Sequence, residues 1–150
     1  MTRNQSQALE VQLRVSRESY SVREPIEVTL VLKNQTDAPI TINKRMAINP
    51  GQMGEGSWEV KFAVVFPPGE RLIRGALINR GRPHQEHFTV LPPGGEYSRT
   101  YILTRYFWME LPGAYEVKAT YHNSIDGSQF GLSAWTGEIT SDPVHLTVAE

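Results

Sequence analysis

A chain of 150 residues with 15 Lys and Arg against 16 Asp and Glu carries a formal net charge of -1, which gives no bulk electrostatic reason to seek nucleic acid or an anionic membrane. Cysteine is absent, so the fold stands without a disulfide and zinc sites built on thiolates are excluded. No apolar run approaches the roughly 20 residues of a membrane helix, and a single domain of this length buries about 68–70% of its unfolded surface.

The chain begins with Met1-Thr2-Arg3-Asn4-Gln5-Ser6-Gln7, which is polar and has no apolar h-region, so it is not an intact signal peptide. The reading is a flexible tail over residues 1–8 ahead of a domain over 9–150. The compartment stays open: cytoplasmic, or beyond the membrane after loss of a signal. Leu9, Val11, Leu13 and Val15 then alternate with Glu10, Gln12, Arg14 and Ser16, the period of a half-buried strand. Tyr20 to Pro25 reads as a connection. Ile26, Val28, Leu30 and Leu32 alternate next, and Asn34-Gln35-Thr36-Asp37 punctuates before Pro39-Ile40-Thr41-Ile42 resumes.

Residues 43–57 hold three glycines and a proline and are long for a loop in a compact domain, where the median is about 4–6 residues. Trp58, Val60, Phe62, Val64 and Phe66 form the strongest alternation, stopped by Pro67-Pro68-Gly69-Glu70. Between 71 and 88 the pattern is weak. Phe88 to Leu91 and Tyr97 to Leu103 read as strands around Pro92-Pro93-Gly94-Gly95, and Thr104 to Glu110 leaves room for one helical turn. The expected strands run over 9–16, 24–33, 38–43, 58–66, 87–91, 96–103, 114–122 and 143–149. The expected core includes Leu13, Val28, Leu30, Ile42, Val60, Phe62, Tyr115, Val117, Ala119, Leu146 and Val148. Short strands with a turn signal about every 8–12 residues predict an all-β sandwich or barrel.

Leu111-Pro112-Gly113-Ala114-Tyr115-Glu116-Val117 resembles the tyrosine corner of immunoglobulin-like domains, with Val117 in the place of the inter-sheet cysteine. The resemblance implies that the Tyr115 hydroxyl bonds a backbone group upstream. Three more segments resemble bacterial immunoglobulin-like sandwiches, in the right order. They are the strand entry Ser21-Val22-Arg23-Glu24-Pro25-Ile26, the turn Leu91-Pro92-Pro93-Gly94-Gly95-Glu96, and the closing Ser141-Asp142-Pro143-Val144-His145-Leu146-Thr147-Val148. The fold so implied is a single antiparallel sandwich of seven to nine strands. The layout is similar to the BsuPI-like intracellular proteinase inhibitor domain and equally to cell-envelope immunoglobulin-like domains. The second likeness points to the cell envelope or a secreted protein. Neither transfers a site residue, and this sandwich hosts many functions.

Several clusters carry residue types suited to chemistry. His84, Glu86 and His87 are metal-type residues, but in a strand His87 points away from the other two, and a solvated loop explains them. Arg71, Arg74, Arg80 and Arg82 could grip phosphate or carboxylate groups, or be surface arginines balanced by Glu70 and Glu86. No Gly-x-Ser-x-Gly elbow, no phosphate loop before a helix and no recognisable carboxylate pair are present. The expectation is a protein that is not an enzyme, with no cofactor and no metal.

Three functions remain. In the first, long loops 43–57 and 123–142 present Met46, Met53, Phe130 and Trp135 to a protein partner, with Trp108 a further contact. A variant of it is assembly by strand addition, the tail and first strand being donated. The second is a BsuPI-like proteinase inhibitor. The third is glycan binding by stacking on Trp108 or Trp135. Against the first and third stands a hairpin extension in which Phe130, Leu132, Trp135 and Ile139 merely cover one end of the core.

Overall fold

The computed structural model describes residues 8–48, 59–66, 69–70 and 84–150. Eleven strands are present among them: β1 (Leu9–Val15), β2 (Ser19–Ser21), β3 (Glu27–Asn34), β4 (Ile40–Asn43), β5 (Val60–Phe66), β6 (Gly69–Glu70), β7 (Phe88–Leu91), β8 (Glu96–Ile102), β9 (Gly113–Asn123), β10 (Gly137–Thr140) and β11 (Val144–Ala149). One sheet has the order β1-β3-β8. The other runs β2-β11-β9-β5-β6, with β10 also on β9, and β4 pairs separately with β7.

The alternation legible in the sequence is what these sheets bury. Leu9, Val11 and Leu13 of β1 and Val28, Leu30 and Leu32 of β3 share one core with Val60, Phe62 and Val64 of β5 and with Tyr115, Val117, Ala119 and Tyr121 of β9. Every residue expected in the core lies in it. Burying each large aliphatic side chain contributes about 1.5–3 kcal/mol against the entropy of ordering the chain. Phe62 of β5 meets Tyr101 of β8 edge to face, with centroids 5.2 Å apart, and so ties one sheet to the other.

Three devices shape the sandwich. At the tyrosine corner, the Tyr115 hydroxyl donates to the Leu111 carbonyl at 2.7 Å. Gly113 beside it has φ of +146°, and a Cβ there would lie 2.4 Å from Cε1 of Phe66, whose ring packs on Tyr115 at 4.6 Å. The second device is a break in the strand opposite β9. Thr140 pairs with Thr120, but Val144 pairs with Val117, so one residue is extra and the strand is bulged between β10 and β11. There the Ser141 N–H donates to the Ala119 carbonyl at 2.8 Å, while the Ala119 N–H donates to Ser141 Oγ at 3.0 Å. The side-chain oxygen stands in for a backbone carbonyl.

The third device is a corner at Asn34, where the β3–β8 ladder ends. The Gly94 N–H donates to the Asn34 carbonyl, and the Asn34 N–H to the Gly95 carbonyl. Both chains then leave the sheet and continue as the β4–β7 pair. Asn34 is fully buried. Its Nδ2 donates to the carbonyls of Ala38 and Leu91 at 2.8 and 3.0 Å, and its Oδ1 accepts the Thr36 N–H at 2.8 Å. Pro92-Pro93-Gly94-Gly95 makes the return turn. Gly94 has φ of +75°, and the Gly95 N–H bonds the Pro92 carbonyl at 2.8 Å, as a type II turn with proline before glycine requires.

The sandwich is of immunoglobulin-like type. It departs from the sequence reading at three short strands. Tyr20 and Ser21, part of the expected connection, instead join Ser19 in β2, which runs parallel to β11 and buries Tyr20. One inward residue between two serines leaves no period to detect, and the partner lies at the far end of the chain. Gly69–Glu70, read as a stop, continues the sheet as β6 against Val65 and Phe66. Residues 137–140, within the expected long loop, form β10. β3 starts at Glu27 rather than 24, since Pro25 has no N–H for a ladder. The expected tail lies outside the described residues apart from Ala8, whose carbonyl accepts the Gln35 N–H.

Candidate functional site

After β4 the chain from Asn43 to Ile48 passes under one end of the sandwich. Asn43, Arg45, Met46 and Ile48 are all buried. Beyond the Asn43–Phe88 pair and the Lys44 N–H bond to the His87 carbonyl, the segment has no ladder among the described residues until Ile48, which bridges to Val60, so its other backbone groups need partners from elsewhere. Both sheets supply them. The Tyr121 hydroxyl of β9 donates to the Asn43 carbonyl at 2.7 Å. The Tyr101 hydroxyl of β8 donates to the Met46 carbonyl at 2.6 Å, and Arg99 Nη1 to the Arg45 carbonyl at 2.6 Å. Burial raises both phenols above the ordinary tyrosine range, so they are neutral donors. Met46, held from several sides, takes a left-handed φ of +50°, which costs a non-glycine residue about 1–2 kcal/mol.

Beneath this segment sits a buried ion pair. Arg45 Nε and Nη2 donate to Glu59 Oε1 and Oε2 at 2.9 and 2.7 Å, and the two side chains are 8% and 4% exposed. Glu59 Oε1 also accepts the Ala47 N–H at 3.0 Å. The carboxylate therefore neutralises Arg45 and fixes the bend of the chain together.

Above the segment, a cavity of about 440 Å3 opens beside β8. Its wall includes Arg45, His87, Arg99, Tyr101, Arg105 and Tyr106, and among the described residues no Asp or Glu lines it. Arg99 shares the inward phase of β8 with Tyr97 and Tyr101, opposite Leu30, yet it is exposed. Its guanidinium reaches the Arg45 carbonyl and the cavity wall. Arg105 ends a single 3-10 turn, Leu103–Arg105, anchored by the fully buried Leu103. His87 is held below the ordinary histidine value, first by burial and then by the Arg45 charge. Its Nδ1 accepts the His84 N–H at 2.8 Å, so it adds no charge at neutral pH. Arg14, Arg17 and Arg45 have carboxylate partners. Arg99 and Arg105 have none among the described residues. Two guanidiniums that no described carboxylate answers, in a partly enclosed wall, attract carboxylate or phosphate oxygens.

The residues singled out from sequence are scattered by comparison. Met46 is 1% exposed, and Trp135 is 5% exposed. The expectation that these two are displayed to a partner is corrected. Met46 lies in the core cluster, and the Trp135 ring packs on Tyr121 at 5.7 Å, while the Trp135 backbone N–H donates to the Thr41 carbonyl. The 123–142 stretch is the hairpin extension weighed against the functional reading. Asn123, buried inside it, donates from Nδ2 to the carbonyls of Ile125 and Trp135. Phe130 is half-buried, with its ring 6.1 Å from Phe88. Trp108 is 43% exposed, between buried Phe107 and Met109. Met53, Trp58, Arg71, Arg74, Arg80 and Arg82 lie outside the described residues.

His84, Glu86 and His87 sit on or beside a 3-10 turn rather than a strand, and no trio of His, Asp or Glu groups poised for a metal occurs among the described residues. Sequence reasoning missed Arg45, Glu59, Arg99 and Arg105. One signal for them is present: Arg99 is a cation on the inward phase of a strand, between two tyrosines.

No protein-family model matches the chain, and no curated protein matches it in sequence. Among solved structures it is similar to the CARDB domain of the PF1109 protein of Pyrococcus furiosus, a crystal structure in complex with di-metal ions. That match has 15% identity and a TM-score of 0.42 over 94% of this chain and 92% of that one. The alkylpurine DNA glycosylase AlkC of Pseudomonas fluorescens, bound to DNA containing an abasic site analogue, matches at 13% identity and a TM-score of 0.44. Here 95% of this chain is covered and 31% of that one. At such distances no property of either protein carries to this chain.

Proposed function

We propose that this chain is a non-catalytic recognition module that takes an anionic partner in the groove beside β8. The observation that carries the reading is the pair Arg99 and Arg105, set in one cavity wall with no acidic residue among the described ones. A rigid sandwich behind the groove supports recognition, since a preformed site loses little entropy when filled. Loop display of the kind expected from sequence loses Met46 and Trp135 to the core and gives way to this groove. A glycan platform would now rest on Trp108 alone among the described tryptophans.

The test is a titration with a fluorescent oligoglutamate at low and high salt, on the intact chain and on Arg99→Gln/Arg105→Gln. The expected result is binding that weakens with salt, because surface charges are screened over about 8 Å at physiological ionic strength, and that is lost in the variant. Equal binding by both proteins, or none by either, sinks the reading.

A further inference from the structure

Among the described strands β8 lies at an edge. The sheet ends with it in the order β1-β3-β8, and among the described residues no strand pairs with its far side. Such an edge presents a row of unpaired N–H and C=O groups that template a further strand. The cavity runs along this edge, since Arg99, Thr100, Tyr101 and Ile102 are consecutive in its wall. A ligand lying there meets two kinds of group together: the backbone of β8 and the guanidiniums of Arg99 and Arg105.

That combination decides between occupants. A free phosphate or a nucleic-acid backbone can use the guanidiniums but has no alternating N–H and C=O to match a strand edge. An extended peptide uses both, and a carboxylate side chain on it reaches an arginine. Arg99 also makes the edge selective. An inward-pointing cation discourages pairing with an apolar strand and admits one that carries negative charge. The chain's own first residues, Met1 to Gln7, carry an arginine and no Asp or Glu, so by charge they are a poor occupant.

We infer that β8 accepts an acidic peptide of another protein as an added strand, with its carboxylates on Arg99 and Arg105. This rests on the anionic-groove reading and specifies its partner. The probe is a labelled peptide of alternating glutamate and threonine, compared with the same peptide N-methylated at alternate amides, with tripolyphosphate and with a single-stranded oligonucleotide. Binding is read by anisotropy, and amide hydrogen exchange along residues 96–102 is read alongside. The expected result is slowed exchange in β8 and a loss of about tenfold or more on N-methylation, the step worth about one decade in Kd. Arg105→Glu should lose the acidic peptide and gain its lysine-for-glutamate counterpart. Since Arg105 is exposed, the folded state is checked by an unchanged melting curve.

N-methylated peptide binding as tightly as the parent overturns strand addition and leaves the anionic groove standing. Tripolyphosphate or oligonucleotide binding as tightly as the peptide overturns it in favour of a phosphate site. If no anion binds, and Arg105→Glu changes nothing, both readings fall.

Discussion

Arg45 and Glu59 concentrate the polar chemistry of the interior at one point. Their bidentate contact is nearly closed to water, so each charge depends on the other. Removing one partner leaves a buried ion, which costs about 3–5 kcal/mol, whereas removing both charges can be close to neutral. Glu59→Gln should therefore lower the urea midpoint strongly, and Arg45→Met similarly. Arg45→Met/Glu59→Gln should recover most of the loss, because the glutamine oxygen still accepts the Ala47 N–H. A double-mutant cycle checks this, and additive losses would show that the pair is not the unit it looks. The pair was not legible in the sequence. Glu59 falls on the outward phase of the 58–66 alternation, and nothing in that period says that the preceding 43–48 segment crosses back to bury it. Asn34 is similar. It reads as a turn residue, yet it is a fully buried rivet holding two chains at a corner.

Elements pair well where their own period is long. β1, β3, β5, β9 and β11 were each legible because several inward apolar residues recur at two-residue spacing, and β8 by Tyr97 and Tyr101 on either side of Arg99. β2, β6 and β10 were not, since a strand of two to four residues owes its existence to its neighbour. β10 depends on the bulge at Ser141, which lets the strand resume in phase with the core after an extra residue. Ser141→Ala removes the acceptor for the buried Ala119 N–H, and an unsatisfied donor there costs about 1–3 kcal/mol. The expected outcome is a lower melting temperature, with faster amide exchange confined to residues 137–142 and their β9 partners. Ser141→Thr keeps the hydroxyl and should recover part of the loss. An alanine variant as stable as the parent would mean that a water replaces the oxygen without cost.

Across the whole molecule, Tyr101 and Tyr121 bind opposite sheets to one crossing segment, and burial raises both phenols in the folded state. The sign follows from proton counts. Above the ordinary tyrosine pKa of about 10, the unfolded chain has lost these protons and the folded chain retains them, so stability falls as pH rises. Two such groups give a limiting slope of about 2.7 kcal/mol per pH unit, approached about one unit above that point, once the unfolded phenols are ionised. Tyr101→Phe should halve it, at the cost of freeing the Met46 carbonyl. Denaturant midpoints measured across alkaline pH check the slope, and a flat profile would count against burial of the phenols.

Local information was enough for the fold class, the long strands, the core residues and the tyrosine corner. Each is encoded in nearest-neighbour periodicity or in a turn whose residues demand one geometry, as Pro93-Gly94 and Gly113-Ala114-Tyr115 do. The burial of Met46 and Trp135 and the meeting of Arg99 with Arg105 beside an open edge were decided in three dimensions. A side chain's exposure in a loop depends on which distant segment needs that space. The charge of a groove depends on which carboxylates the fold happens to place out of reach.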